Sequence, residues 1–75
     1  MKEISTGITV DPKVRFGKPV VKNTRVPVDL VLGQLASGMN FDEVCREYEI
    51  KRKDILAVLA YAAKMAENEQ VRAIA

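Results

Sequence analysis

The stretch NFDEVCREYEIKRKDILAVLAYAAKMAEN, residues 40–68, decides the fold of this 75-residue chain. It opens with Asn40 and Glu43, the spacing of a capping box, in which each side chain bonds the other residue's backbone amide at a helix start. Apolar residues at helical spacing then form the inner face of a short helix: Phe41, Val44, Cys45 and Tyr48. A second helix follows from about Arg52 to Glu69.

These two helices fit the spacing of a helix-turn-helix. Cys45 is the small residue where the helices cross, Tyr48 closes the first helix, and Ile50 is the apolar plug before the second. Glu49 stands in the turn where Gly is commonest. The second helix contributes three expected core residues: Ile55, Val58 and Leu59. The spacing predicts a helix-turn-helix.

Three cations, Lys51, Arg52 and Lys53, stand at the start of the second of these helices. The helix macrodipole makes this end positive, and Lys51 is a poor cap, so both features are locally unfavourable. A bound phosphate would relieve both, which predicts contacts to duplex DNA. The alternative is a solvated basic turn that Glu49 and Asp54 partly neutralise.

The same helix is apolar on all sides, since Lys64 is the only charge from Ile55 to Ala66. Such a helix is covered all round, and a chain this short has too few other elements to cover it. We therefore expect a homodimer or a partner protein on these residues: Leu56, Ala60, Tyr61, Ala63 and Met65. The alternative is an exposed alanine-rich face, which costs little because alanine is small.

Upstream, residues 1–27 have strand and turn chemistry. The β-branched run Ile8–Val10 ends at a turn-forming Asp-Pro pair, and further β-branched residues follow the turn at 16–19. We expect two or three short strands, including an edge hairpin. Pro27 starts a helix over about 28–37 that Gly38 terminates. Gly33 lies inside that helix, and the close approach of another element would explain it.

The expected fold is therefore mainly α, a small α+β domain with short N-terminal strands and a three-helix bundle. Residues 1–75 form one domain, with a strand and turn segment at 1–27, helices at 28–69 and a frayed tail at 70–75. No signal peptide is evident and the longest apolar run is far too short for a membrane span, so we expect a cytoplasmic protein.

Enzymatic, metal and cofactor chemistry finds no candidates in this composition. The chain has no His, and its single cysteine, Cys45, lies on a helix inner face, where a core role is expected. Gly17-Lys18 lacks the rest of a phosphate-binding loop. We expect no catalytic residue, no metal ligand and no cofactor.

The net charge of +2 is unevenly distributed. Residues 1–25 carry +4 and the remaining fifty carry −2. Lys18, Lys22 and Arg25 are therefore further candidates for phosphate contact. A solvated basic face is the alternative.

The segment GKPVVKNTRVPV, residues 17–28, resembles the signature of a family of short prokaryotic proteins known as domain of unknown function 433. The resemblance extends over about residues 8–65 and includes the stretches 8–12, 38–39, 43–48 and 54–62. It implies a helix-turn-helix-like fold, usually dimeric, and an antitoxin paired with a PIN-like ribonuclease toxin.

Two positions depart from that family's pattern. Asn23 stands where the family usually has Gly, and Asn is the next best residue for a left-handed backbone. Lys51 replaces the usual Thr or Ser cap, which either strengthens the anion site or weakens the helix start. The signature block also has a structural interpretation, in which Pro and Gly set turns and Arg25 ties the strand to the helices.

Three functions remain in competition. The first is a dimeric DNA-binding antitoxin that neutralises a PIN-like toxin and autoregulates its operon. The second is a protein-interaction or dimerisation module that never binds DNA, which the apolar outer face of the last helix favours. The third is a transcription factor without a toxin partner.

Overall fold

A computed structural model describes residues 1–69 as a small α+β domain with an N-terminal antiparallel sheet and three helices. The strands are β1 (Lys2–Ser5), β2 (Ile8–Val10) and β3 (Val20–Val21), and a 3-10 turn spans Arg15–Gly17. The helices are α1 (Val28–Ala36), α2 (Phe41–Tyr48) and α3 (Arg52–Asn68). The expected fraying of 70–75 lies outside the described residues.

The sheet has the order β1-β2-β3, with both neighbouring pairs antiparallel. The strands predicted at Ile8–Val10 and around Val20 are confirmed, and β1 adds a third strand on the outer side of β2. An isolated bridge between Val20 and Pro27 returns the chain to the sheet before α1 begins. Pro27 occupies the N-cap of α1, where its missing amide leaves no unpaired donor.

The two C-terminal helices begin differently. At α2 the capping box is complete, because the Glu43 amide donates to Asn40 Oδ1 at 2.8 Å and the Asn40 amide donates to Glu43 Oε1 at 3.1 Å. At α3 the Lys51 amide donates to Asp54 Oδ2 at 2.8 Å. The reciprocal bond cannot form there because a lysine ammonium has no acceptor.

The core lies between the sheet and the three helices. It consists of buried aliphatic residues from every layer except β1: Ile8, Val21, Val28, Val31, Val44, Ile50, Ile55 and Val58. Cys45 and Tyr48 are half-buried against this cluster, and the predicted plug Ile50 is buried. The prediction for Leu59 is wrong: its side chain is 37% exposed. Ile55 and Val58 face the core, and at 100° per residue Leu59 turns towards the open side of α3.

The explanation offered for Gly33 is also wrong. Among residues 1–69, no atom outside its own helix turn lies within 4 Å of a methyl group placed there. The close approach occurs instead at Gly7, in the turn between β1 and β2. A methyl group on Gly7 would lie 3.0 Å from the Ala57 Cβ, so this glycine lets the hairpin lie against α3.

Candidate nucleic-acid interface

A groove separates the turn after β3 from the first turn of α3. It comprises two hollows of about 340 and 230 Å³ that share Lys22, Asn23, Lys53 and Asp54, and Lys51 lines the smaller one. The structure therefore brings together three of the six basic residues predicted to contact DNA. We call Lys22, Lys51 and Lys53 the basic groove.

The turn that carries Lys22 is held by local bonds. The Thr24 amide donates to the Val21 carbonyl at 3.0 Å, and the Thr24 hydroxyl donates to the same oxygen at 2.7 Å. Asn23 has φ 64, the left-handed backbone that was expected at this turn. The Lys22 amide donates to the Gly7 carbonyl at 2.8 Å, which places this turn beside the hairpin and α3.

Carboxylates also line the basic groove. Lys22 Nζ lies 3.2 Å from Glu3 Oε1, and Glu3 Oε2 accepts the Gly7 amide at 2.8 Å. The Gly7 hydrogen bond, followed by the Lys22 ammonium, lowers the pKa of Glu3. Within residues 1–69 the ammonium groups of Lys51 and Lys53 form no ion pair, so they are available to an incoming anion.

Arg52 points away from this groove, towards α2. Its guanidinium carbon lies 4.7 Å from the centroid of the Phe41 ring, within the range of a cation–π interaction. The contact orients an exposed guanidinium at the junction of α2 and α3. The three cations at the start of α3 therefore do not form a single cluster. Lys51 and Lys53 line the basic groove, whereas Arg52 lies against α2.

Lys18 and Arg25 lie outside the basic groove. Lys18 Nζ pairs with Asp29 Oδ2 at 3.0 Å, and this hydrogen bond lowers the pKa of Asp29. The Arg25 carbonyl accepts a hydrogen bond from Arg15 Nε at 3.2 Å. Arg25 therefore bonds the preceding loop through its backbone, and its exposed side chain remains a candidate for phosphate contact.

The side chains predicted to contact a second copy or a partner protein lie on two sides of α3. Leu56, Ala60 and Ala63 are exposed along one stripe, which Leu59 extends. Tyr61 is half-buried against the core, and Met65, 47% exposed, lies one turn further along that second side. Leu56 and Tyr61 are about 140° apart around the helix axis, so the predicted residues offer two separate surfaces.

Sequence reasoning missed two features near the 3-10 turn. Phe16 is fully exposed, and it has φ 58 between Arg15 at φ 51 and Gly17 at φ 81. A nearby hollow of about 290 Å³ is lined mainly by apolar side chains: Lys18, Pro19, Val28, Asp29, Leu32 and Tyr61. The sequence predicted only a turn at 16–19. Residue spacing gives no indication that an aromatic ring in such a turn is exposed.

Two further properties concern other classes of site. Within residues 1–69, no cluster of three or more Cys, Asp or Glu side chains is placed to hold a metal ion. No helix in the same part of the chain has the length and apolar character needed to cross a membrane.

Two comparisons with known proteins match most of the chain. The family model described as Protein of unknown function (DUF433) matches residues 8–62. The crystal structure of Rv2018 from Mycobacterium tuberculosis is similar, with a TM-score of 0.64 and 31% sequence identity over 69% of this chain. The matched part is 24% of the Rv2018 chain, so this protein corresponds to about a quarter of that longer one. No curated protein matches the chain.

Proposed function

This chain belongs to the DUF433 family, and we propose that it is a dimeric, cytoplasmic DNA-binding regulator of the antitoxin type, not an enzyme. The observation that carries the proposal is the basic groove. There the ammonium groups of Lys51 and Lys53, which form no ion pair within residues 1–69, stand at the N-terminal end of α3, next to Lys22. Cations at a helix N-terminus favour the phosphates of a duplex.

In this proposal α2 and α3 form the helix-turn-helix. Three residues, 49–51, join the two helices, and Glu49 has the left-handed backbone that ends α2. Ile50 is buried against the core immediately afterwards, which sets the angle at which α3 leaves the turn. α3 then presents its first turn to the duplex, as a recognition helix does.

The outer face of α3 limits how that duplex would be recognised. After Arg52 and Lys53, the next exposed residues along α3 are Leu56, Leu59 and Ala60, which have no hydrogen-bonding groups for base edges. Phosphate contacts from the basic groove would therefore supply most of the affinity. Such binding falls steeply with salt and discriminates weakly between sequences.

The antitoxin part of the proposal rests on the family resemblance and on the apolar stripe of α3. A protein partner would cover Leu56, Leu59, Ala60 and Ala63, which are exposed. A PIN-like ribonuclease toxin is the proposed partner. The short chain then uses separate surfaces for DNA and for the toxin.

Duplex binding is tested by titrating DNA from the region upstream of the gene at several salt concentrations. Replacing Lys22, Lys51 and Lys53 with Ala should reduce the magnitude of the slope of log K against log salt by roughly two to three, since each phosphate contact contributes about 0.9. A triple variant of Lys2, Lys13 and Lys64 removes the same charge elsewhere and should change the slope less. Equal slopes in both variants would remove the basic groove from the interface.

The toxin partnership is tested by co-expressing the protein with the product of the adjacent reading frame. If the neighbour alone arrests growth and this protein restores it in a stable complex, the antitoxin function stands. A Leu56→Asp/Ala60→Asp variant should then lose the complex. A harmless neighbour would leave a regulator without a toxin.

The second candidate function is a protein-interaction module that never binds DNA. It is favoured by the same exposed stripe, led by Leu56 at 55% exposure and Leu59 at 37%. The salt titration separates the two candidates. Absence of duplex binding at low salt, together with a stable protein complex, would select this second function.

A further inference from the structure

We infer that the dimer forms by reciprocal exchange of Phe16: the ring of each copy enters the apolar hollow beside Tyr61 of the other. This inference deepens the proposed function, and it rests on the dimeric state alone, not on DNA or toxin binding. Two observations support the inference. The Phe16 ring is exposed on a loop held by hydrogen bonds, and an apolar hollow lies beside that loop.

Phe16 is held away from its own domain by a braced loop. The Gly17 amide donates to the Val14 carbonyl at 3.1 Å, and the Lys18 amide donates to the Arg15 carbonyl at 3.1 Å. Arg15 Nε reaches across to the Arg25 carbonyl at 3.2 Å. The ring is therefore presented on a pre-organised support, which reduces the entropy that binding would cost.

The backbone of this loop is unfavourable for the residues it contains. Arg15 and Phe16 both have positive φ, at 51 and 58, although both carry a Cβ. In the single chain this conformation leaves a whole phenyl ring in water. An outlier of this kind points to a function for the exposed ring, since burying it in another surface would recover its hydrophobic contribution.

The hollow has the size and chemistry for such a ring. Its volume is about 290 Å³, whereas a cavity of about 150 Å³ suffices for benzene. Pro19, Leu32 and Tyr61 give it apolar walls, and the two charged residues that also line it, Lys18 and Asp29, pair with each other, so an entering ring meets mainly apolar surface. At its rim Asp29, which also pairs with Lys18 at 3.0 Å, leaves a carboxylate 66% exposed, opposite in charge to the Arg15 and Lys13 that would accompany the ring.

The position of the two features favours a second copy as the occupant. Phe16 lies two residues before Lys18, which lines the hollow, so the ring and the hollow are neighbours on the surface. Adjacent complementary features can pair about a single twofold axis, with each ring over the other copy's hollow, and the assembly then closes as a dimer. The stripe of α3 remains free for a different partner.

The test uses sedimentation equilibrium on the full chain and two complementary variants. Phe16→Ser removes the ring, and Asp29→Trp covers the mouth of the hollow from an exposed position. Each variant alone should raise the dimer dissociation constant roughly tenfold or more, as loss of a buried aromatic anchor does. An equimolar mixture should associate more tightly than either variant, because a mixed dimer retains one intact ring-and-hollow contact.

Ile4→Ser is the control, since Ile4 is also apolar and exposed but lies on β1, outside the proposed contact. Circular dichroism on each variant establishes that it folds. A Phe16→Ser dimer as tight as the wild type would overturn the exchange while leaving the proposed dimeric regulator intact. A wild-type chain that stays monomeric would overturn both. Unchanged dimerisation with lost duplex binding would instead assign the ring to stacking on DNA.

Discussion

At the scale of single residues, backbone conformation explains several unusual choices. Asn23 adopts φ 64 in a position where its short side chain tolerates the left-handed region. Glu49 adopts φ 54, although its longer side chain does not favour that conformation. The chain turns there so that Ile50 enters the core. The unfavourable backbone conformation of Glu49 is tolerated because the turn positions the start of α3.

Two glycines, one inside α1 and one just beyond it, should respond oppositely to alanine. Gly33 lies inside α1 and Gly38 just beyond it at φ 107, and neither has a neighbour within 4 Å of an added methyl group. Gly33→Ala should stabilise the protein by about 0.5–1 kcal/mol, because alanine is the better helix former. Gly38→Ala should destabilise it by about 1 kcal/mol, because the left-handed backbone disfavours a Cβ.

Urea unfolding of both variants measures these effects as midpoint shifts at constant m. The pair controls for composition, since the same substitution is made in equally open surroundings. A loss of stability in Gly33→Ala would mean that another chain approaches α1 at this position.

At the scale of elements, the N-terminal ends of α2 and α3 differ in how completely they are capped. The complete capping box at Asn40 stabilises α2, whereas α3 begins with Lys51 and only half of the same arrangement. Asp54 already accepts one amide at that end, so the remaining attraction for an anion comes from the other free amides and from the lysine side chains. The element that faces the proposed ligand is the one whose cap is incomplete.

Lys51→Ser should therefore change stability and DNA binding in opposite directions. A serine hydroxyl can accept the Asp54 amide and removes a cation from the helix N-terminus, so we expect about 0.5–1 kcal/mol of added stability. Duplex affinity should fall at the same time. Asn40→Ala is the control, with an expected loss of about 1 kcal/mol and unchanged DNA binding.

The attachment of β1 should depend on pH through Glu3. Its carboxylate accepts the Gly7 amide and pairs with Lys22, and its pKa in the folded protein is lowered. The stability it contributes is therefore fully present above the ordinary glutamate pKa of about 4.3 and is lost as pH falls through the folded value. Below that value the folded carboxyl is protonated and the contribution is absent.

Glu3→Gln provides the measurement. The stability difference between the wild type and this variant should be largest near neutral pH and should shrink as the solution is acidified. Urea titrations between roughly pH 7 and pH 3 span the window on both sides of the ordinary glutamate pKa. A difference that is independent of pH would show that the carboxylate charge does not hold β1.

At the scale of the whole molecule, one thin core carries the fold. The buried aliphatic residues come from β2, β3, the three helices and the α2–α3 turn, and β1 contributes none of them. A domain of this size has little stability to lose. Phe16 and Leu56 lie outside this core and are exposed, so they are the apolar side chains that the proposed partners would cover.

Two neighbouring residues on α3 should differ in their contribution to stability, because one lies in the core and the other is exposed. Ile55 is fully buried and Leu56 is 55% exposed. Ile55→Val should cost about 0.5–1.5 kcal/mol, and Ile55→Ala about 2–5 kcal/mol, enough to unfold most of a marginal domain. Leu56→Ala should stay within about 0.5 kcal/mol in the isolated protein. Thermal unfolding of the three variants checks the ranking, and comparable losses at both positions would show that a second chain covers Leu56.

The sequence alone determined the parts of this protein that depend on near neighbours in the chain. The capping box at Asn40, the turn at Asn23, strands β2 and β3 and the extents of the helices follow from side-chain spacing, and the structure confirms them. β1 was not located in advance, because Lys2–Ser5 offers only Ile4 as an apolar residue and is paired through β2. The confirmed features each depend on residues that are close together in the sequence, so residue spacing is enough to predict them.

Which residues share a surface depends on the tertiary structure. The apolar character of α3 predicted contact with another chain, but the sheet and α1 cover one side of the helix and so divide the predicted residues between two faces. The same packing put Lys22 beside Lys53, left Lys18 with Asp29, and placed Phe16 next to the hollow at Tyr61. The physical reason is that burial and charge proximity depend on contacts between distant segments, which residue spacing does not encode.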